Sequence, residues 1–233
     1  MRFSPTLKAQ TTKLLYTFAF AIPPLRSVLY TRQPFVKYPF MYTPKELHTL
    51  LDLLRSTSDV PGSVVEVGCH QGWTTCYLVE GMREENLTRP YICIDTFSGF
   101  LREDADFEYQ HRQKPVGTYA SLFRICDKKW LDFSMRKAGY ENVHSYRADG
   151  GTFDYASVAP IAFCLVDIDL YRPVKASLSA LYEHVGKGGL IVVDDTCEEG
   201  IWNGANQAYL EFCEEMRIPP EIVCGKLGII RKR

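Results

Sequence analysis

Val65-Glu66-Val67-Gly68-Cys69-His70-Gln71-Gly72-Trp73-Thr74 is the stretch from which the architecture can be read. A β-branched run carrying one acid ends at a glycine, and a second glycine four residues on opens a helical pattern. The two glycines allow a tight turn and a close backbone approach to a ligand. The dinucleotide fingerprint is absent, because Cys69 and His70 follow Gly68 where a second glycine would be needed. An acid beside the turn suits a ligand ammonium and would repel a pyrophosphate. A plain strand-to-helix turn is the alternative reading.

Outward from this turn, strands and helices alternate. Residues 63–67 form a first buried strand, followed by a helix over 73–82 and strands over 91–95, 143–147 and 161–168. Val174, Leu178, Leu181 and Val185 then recur at helical spacing, a strand over 190–193 follows the Gly188-Gly189 stop, and Tyr209, Phe212, Cys213 and Met216 stripe another helix. Residues 221–231 read as a closing hairpin around Gly225. Upstream, Thr43-Pro44 opens a helix striped by Leu47, Leu50, Leu51 and Leu54, with Thr43 as cap and proline in the first turn. Such alternation predicts an α/β fold with a mostly parallel sheet covered on both faces. Ligands in these sheets sit beyond the carboxyl ends of the strands, at the switch point.

The polar residues at those ends are therefore the candidates for chemistry. Asp95 ends the second strand, where a carboxylate can accept from both hydroxyls of a ribose; a helix cap is the alternative. Asp149, in Arg147-Ala148-Asp149-Gly150, could accept from an adenine amino group. Asp167 and Asp169 end the fourth strand, and Asp194-Asp195 the fifth. Adjacent strands lie about 4.8 Å apart, so these carboxylates can converge. Clustered anions raise one another's pKa values unless a cation intervenes. An oxygen-only donor set selects Mg²⁺, Mn²⁺ or Ca²⁺. Capping acids without an ion are the alternative.

With these blocks in place, the chain resembles the class I S-adenosylmethionine-dependent O-methyltransferases of the macrocin O-methyltransferase-like (TylF/MycF/NovP) family, which methylate sugar hydroxyls of natural products. The resemblance rests on residues 60–68, Asp95-Thr96-Phe97-Ser98-Gly99-Phe100, Asp167-Ile168-Asp169-Leu170-Tyr171, and Gly188-Gly189 running into Asp194-Asp195. It implies a Rossmann-like, seven-stranded sheet with a C-terminal antiparallel hairpin. It implies cofactor contacts at Glu66, Gly68 and Asp95, to which the residue reading adds Gly72 and Asp149. It also implies Mg²⁺ on Asp167, Asp194 and Asp195, with Asp167 as general base, and a homodimer. Asp169 is the competing base. The expected reaction is methyl transfer from S-adenosylmethionine to a hydroxyl of a small molecule, most naturally a sugar. A catechol acceptor and a non-catalytic binding module are the competing functions.

Composition sets the remaining bounds. The 233 residues are 46% hydrophobic and 24% charged with net charge −1, which excludes a disordered chain and gives no electrostatic case for nucleic acid. Charge is unevenly placed: Arg2, Lys8, Lys13, Arg26, Arg32, Lys37 and Lys45 are accompanied by no acid over residues 1–45. Residues 1–42 thus form a basic arm before a domain spanning 43–233, packing over the domain or a partner, making peripheral membrane contact, or serving as a targeting segment. The apolar run in the arm is broken by Pro23-Pro24 and is too short to span a bilayer. Eight cysteines without metal-type spacing read as core residues of a cytoplasmic, reducing compartment. Residues 98–135, with charges alternating in sign and no apolar period, read as a mobile lid loop. His70 and His111 are secondary candidates for proton transfer, and Tyr42 and Trp73 for packing on a ligand.

Overall fold

The computed structural model describes residues 38–119 and 122–233; most of the basic arm lies outside the described residues. Thr43 and Glu46 close a reciprocal capping box at the start of α1 (Pro44–Arg55), the Thr43 amide donating to Glu46 Oε2 at 2.7 Å. This cap fixes the direction from which the preceding residue, Tyr42, enters the protein. β1 (Ser63–Val67) leads through the glycine turn to α2 (Trp73–Glu84), then β2 (Tyr91–Asp95), α3 (Arg102–His111), α4 (Lys128–Ala138) and β3 (Val143–Arg147). β4 (Ile161–Val166), α5 (Tyr171–Leu181), β5 (Val185–Val193), α6 (Asn203–Glu215), β6 (Glu221–Val223) and β7 (Leu227–Arg231) complete the order.

Among the described residues the seven strands form one sheet, ordered β3-β2-β1-β4-β5-β7-β6. β1 to β5 are parallel, while β7 runs antiparallel to both β5 and β6. Successive side chains leave a strand on opposite faces, and the core divides accordingly. Val64, Tyr91, Cys93, Phe163, Leu165 and Val192 pack with the leucines of α1 and with Leu78, Met82 and Leu131 of α2 and α4. Their neighbours Val65, Ile92, Ile94, Cys164, Val166 and Ile191 pack with Val174, Leu178, Tyr209 and Phe212 of α5 and α6. Each of these fully buried aliphatic side chains contributes about 1.5–3 kcal/mol. None of the eight cysteines forms a disulfide among the described residues, and five of them are buried.

Two sequence expectations change. Residues 98–135 are not one loop: they contain α3 and the start of α4. α3 lacks an apolar stripe because a buried carboxylate anchors it. Glu108, 1% exposed, accepts from Arg112 Nε at 3.0 Å and from the Tyr171 amide at the start of α5 at 2.9 Å. β5 also begins earlier than residue 190, because Gly186, Gly188 and Gly189 lie inside the strand. Gly189 belongs there sterically: a Cβ would stand 2.8 Å from Val185 Cγ1 and 3.0 Å from the Ala162 carbonyl.

Candidate active site

Register alone aligns the functional strand ends. Ile94, Val67, Val166 and Val193 are paired across four neighbouring strands. The residues that follow, Asp95, Gly68, Asp167 and Asp194, consequently leave the sheet at one level. Backbone bonds lock this row: the amide of Gly68 donates to Ile94 O at 2.8 Å, that of Asp167 to Val67 O at 2.8 Å, and that of Asp194 to Val166 O at 2.9 Å. Above the β1/β4 switch point opens a cleft continuous with solvent. Glu66, Gly68, Asp95, Asp149, Asp167 and Asp169 all line it, as do Tyr42, His70 and Trp73. Gly72 shapes the turn from behind, and His111 packs on Phe107 at 4.6 Å without joining the lining.

One half of the cleft is built around the β1 turn. Gly68 (φ +94°) and Gly72 (φ +81°) hold the left-handed conformation that favours glycine. A Cβ on Gly68 would stand 1.9 Å from the carbonyl oxygen of Asp167, so this residue type is what lets the two strand tips approach. Asp95 fastens the turn to the end of β2, its Oδ2 accepting from the His70 amide at 2.8 Å and its Oδ1 from the Phe97 amide at 2.6 Å. Beneath them Glu66 is 1% exposed, and its Oε2 accepts from Thr75 Oγ1 at 2.6 Å and Tyr91 OH at 2.7 Å. Burial outweighs both hydrogen bonds and pushes its carboxyl up to about 7. Burial also lowers the His70 imidazole, whose Nε2 is buried without a partner; the ring packs edge-on to Phe123. Asp149 Oδ1 accepts from the Gly151 amide at 3.0 Å at the far side of the same half.

The other half is an acidic centre. Asp167 Oδ2 accepts from Tyr42 OH at 2.9 Å, a contact made possible by the α1 cap that directs Tyr42 inward. Burial first, then the charge of Asp195, raises the Asp167 carboxyl to about 7 against the opposing pull of Tyr42 and Lys226. Burial and the Asp167 charge hold Asp169 and Asp194 well above the carboxylate range. Asp169 (φ +62°) and Asp195 (φ +57°), like His70 (φ +47°) and Phe97 (φ +49°), are non-glycine residues in left-handed conformations at the strand tips. Such strain persists where surrounding structure over-determines the backbone, and it concentrates at functional sites.

The convergence of Asp167, Asp194 and Asp195 is as the sequence suggested, but the neutralising cation comes from the chain itself. Lys226 Nζ stands 2.9 Å from Asp194 Oδ2 and 3.1 Å from Asp195 Oδ1, and 4.9 Å from the centre of the Tyr42 ring. Burial pulls its ammonium down, yet the two carboxylates leave it above its usual value and charged. Among the described residues no group of three acidic, histidine or cysteine side chains is arranged to hold a metal ion. The donor types would suit a hard dication; their arrangement around an ammonium does not. Of the three acids expected as metal ligands, Asp194 and Asp195 face the Lys226 ammonium and Asp167 accepts from Tyr42.

Four contributors carried no sequence signal. Lys226 lies on the hairpin, far along the chain from the acids it meets. Asp104, in the first turn of α3, lines the cleft and is raised to about 6 by burial despite Arg172. Thr75 and Tyr91 hold Glu66 from α2 and β2. The charged run around Asp104 could have suggested only a surface.

The family model described as macrocin-O-methyltransferase (TylF) matches residues 41–224. No curated protein matches by sequence. Among solved structures the chain is similar to the O-methyltransferase NovP, at 19% identity and TM-score 0.68 over 84% of each chain. It is also similar to the calicheamicin methyltransferase CalS11, at 21% and 0.60 over 99% of this chain and 94% of that one. A third likeness is to the S-adenosylhomocysteine-bound methyltransferase PaMTH1 of Podospora anserina, at 11% and 0.55, covering 100% of this chain and 89% of that one. At these identities the likeness is one of fold.

Proposed function

The chain belongs to the macrocin O-methyltransferase family, and from that premise we propose that it moves the methyl group of S-adenosylmethionine onto a hydroxyl of a sugar carried by a natural product. The observation that carries this reading is the division of one cleft into two chemically different halves. Glu66, Asp95 and Asp149 suit a cationic nucleoside, and Asp167 stands at the other end beside a buried tyrosine. CalS11 is described as a TDP-rhamnose 3′-O-methyltransferase, which favours a deoxysugar over a catechol as the acceptor class here.

In this reading the Glu66 carboxylate faces the methionine ammonium and Asp95 accepts from the ribose diol. Asp149 accepts from the adenine amino group, while Gly68 and Gly72 keep the turn low enough for the ligand to lie on it. The acceptor oxygen attacks the methyl carbon in line, the C–O bond forming as the S–C bond breaks, and S-adenosylhomocysteine leaves. The hydroxyl proton passes to Asp167, whose value near 7 matches what a general base needs at neutral pH. Tyr42 holds that carboxylate in place. Asp169, whose carboxyl burial and then the Asp167 charge raise well above the carboxylate range, is the competing base. The sulfonium is already activated, so most of the protein's contribution is positioning. Phe100, Tyr119 and Phe123 join Trp202, from the turn before α6, in one cluster of ring contacts, and Phe100 and Phe123 of that cluster line the cleft.

The test is transfer of labelled methyl from S-adenosylmethionine to a panel of deoxysugar glycosides and catechols. Transfer to the glycosides, falling about 10²–10⁴-fold in Asp167→Asn but less in Asp169→Asn, supports the assignment. Equal loss in both variants, or transfer to catechols alone, overturns it.

A further inference from the structure

We propose that the Lys226 ammonium is the resident cation of the carboxylate centre, standing where a divalent ion would have to bridge Asp194 and Asp195, so that the centre is assembled without one. The role of the centre in methyl transfer rests on the reading above; the occupancy of the bridging position does not.

The lysine is seated from several directions. Its Nζ contacts one oxygen of each side chain, at 2.9 and 3.1 Å, the arrangement of a single cation shared by two carboxyl groups. The Tyr42 ring lies on it at 4.9 Å, and that same tyrosine donates to Asp167, linking all three acids through two residues. Its backbone is fixed as well. Lys226 O accepts from the Thr196 amide at 2.8 Å, and its own amide donates to Val223 O at 3.2 Å. Gly225, at φ +76°, makes the turn that carries it there. The side chain is 25% exposed, so water screens the ammonium only in part.

A hard dication needs carboxylate oxygens at about 2.0–2.6 Å. Placed between Asp194 and Asp195, it would meet the ammonium at contact distance, and like charges that close in a poorly hydrated site exclude one another. Asp194 Oδ1 is buried without a partner. The acids therefore retain coordinating capacity that becomes available once the lysine is removed.

The experiment is a Mn²⁺ titration of the full chain in the presence of S-adenosylmethionine, reading free Mn²⁺ by electron paramagnetic resonance. The wild-type protein is expected to leave Mn²⁺ free up to about 1 mM, the weak end of carboxylate sites for hard cations. Lys226→Met should take up one equivalent, at least about tenfold more tightly, and Asp194→Asn added to it should abolish the uptake. Stoichiometric uptake by wild type that Asp194→Asn removes would overturn the proposal, with no demand on how the lysine variant folds. So would a failure of both Lys226→Met and Lys226→Gln, shown folded by circular dichroism, to gain a site. Cofactor binding by the same samples is measured separately, so loss of the methyltransferase reading and loss of this one are distinguishable.

Discussion

Replacing Glu66 by Gln should change how folding stability depends on pH, by an amount the structure specifies. Glu66 is 1% exposed, and burial raises its carboxyl from 4.5 to about 7. At about 1.4 kcal/mol per pH unit, this difference corresponds to about 3 kcal/mol. The sign follows from proton counting. Between the two values the unfolded chain has released the proton and the folded chain still holds it, so stability falls as pH rises through that window. The stabilisation is complete below about 4.5, and it is gone once pH passes about 7. Gln keeps an oxygen to accept from Thr75 and Tyr91 but cannot titrate. Urea unfolding across this range should therefore show wild type losing about 3 kcal/mol more than the variant. Asp167 and its neighbours titrate in both proteins and cancel in the difference. Parallel stability curves would refute the claim that Glu66 is held protonated by burial. The same proton reports on the ligand: an ammonium facing Glu66 favours the carboxylate, so cofactor binding below about 7 should release a proton. Calorimetry in buffers of different ionisation enthalpy would detect it.

Two further outcomes follow from the site. Tyr42→Phe removes the hydroxyl that donates to Asp167; a hydrogen bond to a charged group is worth about 1.5–3 kcal/mol, so the acid limb of kcat/KM should move up by about 1–2 pH units, and an unmoved limb would remove Asp167 as the base. Gly68→Ala should abolish cofactor binding, because its Cβ would stand 1.9 Å from the Asp167 carbonyl, whereas Gly139→Ala, with nothing within 4 Å, should cost only the left-handed penalty of about 1–2 kcal/mol; calorimetric binding of S-adenosylmethionine and urea midpoints check both, and equal effects would show that the strand-tip approach is not limiting.

The pattern of apolar residues was enough to place β1, β2 and β4, since buried parallel strands are short continuous apolar runs bounded by turns. Thr43-Pro44 marked the start of α1 because a cap is a local interaction between near neighbours. Where stability came from distant partners, local pattern failed: α3 is held by Glu108 reaching Arg112 and the start of α5. β5 was read short because its glycines answer the steric needs of the neighbouring strand and turn.

The same division runs through the site. The order of strands and their polar tips was written in the chain, and it determined that Asp95, Gly68, Asp167 and Asp194 emerge together, because parallel register converts matched strand ends into a row. What neutralises that row was decided only by tertiary structure. The hairpin folds Lys226 back between Asp194 and Asp195, and the α1 cap turns Tyr42 onto Asp167. Both are contacts between residues far apart in sequence, and their energy depends on distances of about 3 Å that no spacing along the chain encodes.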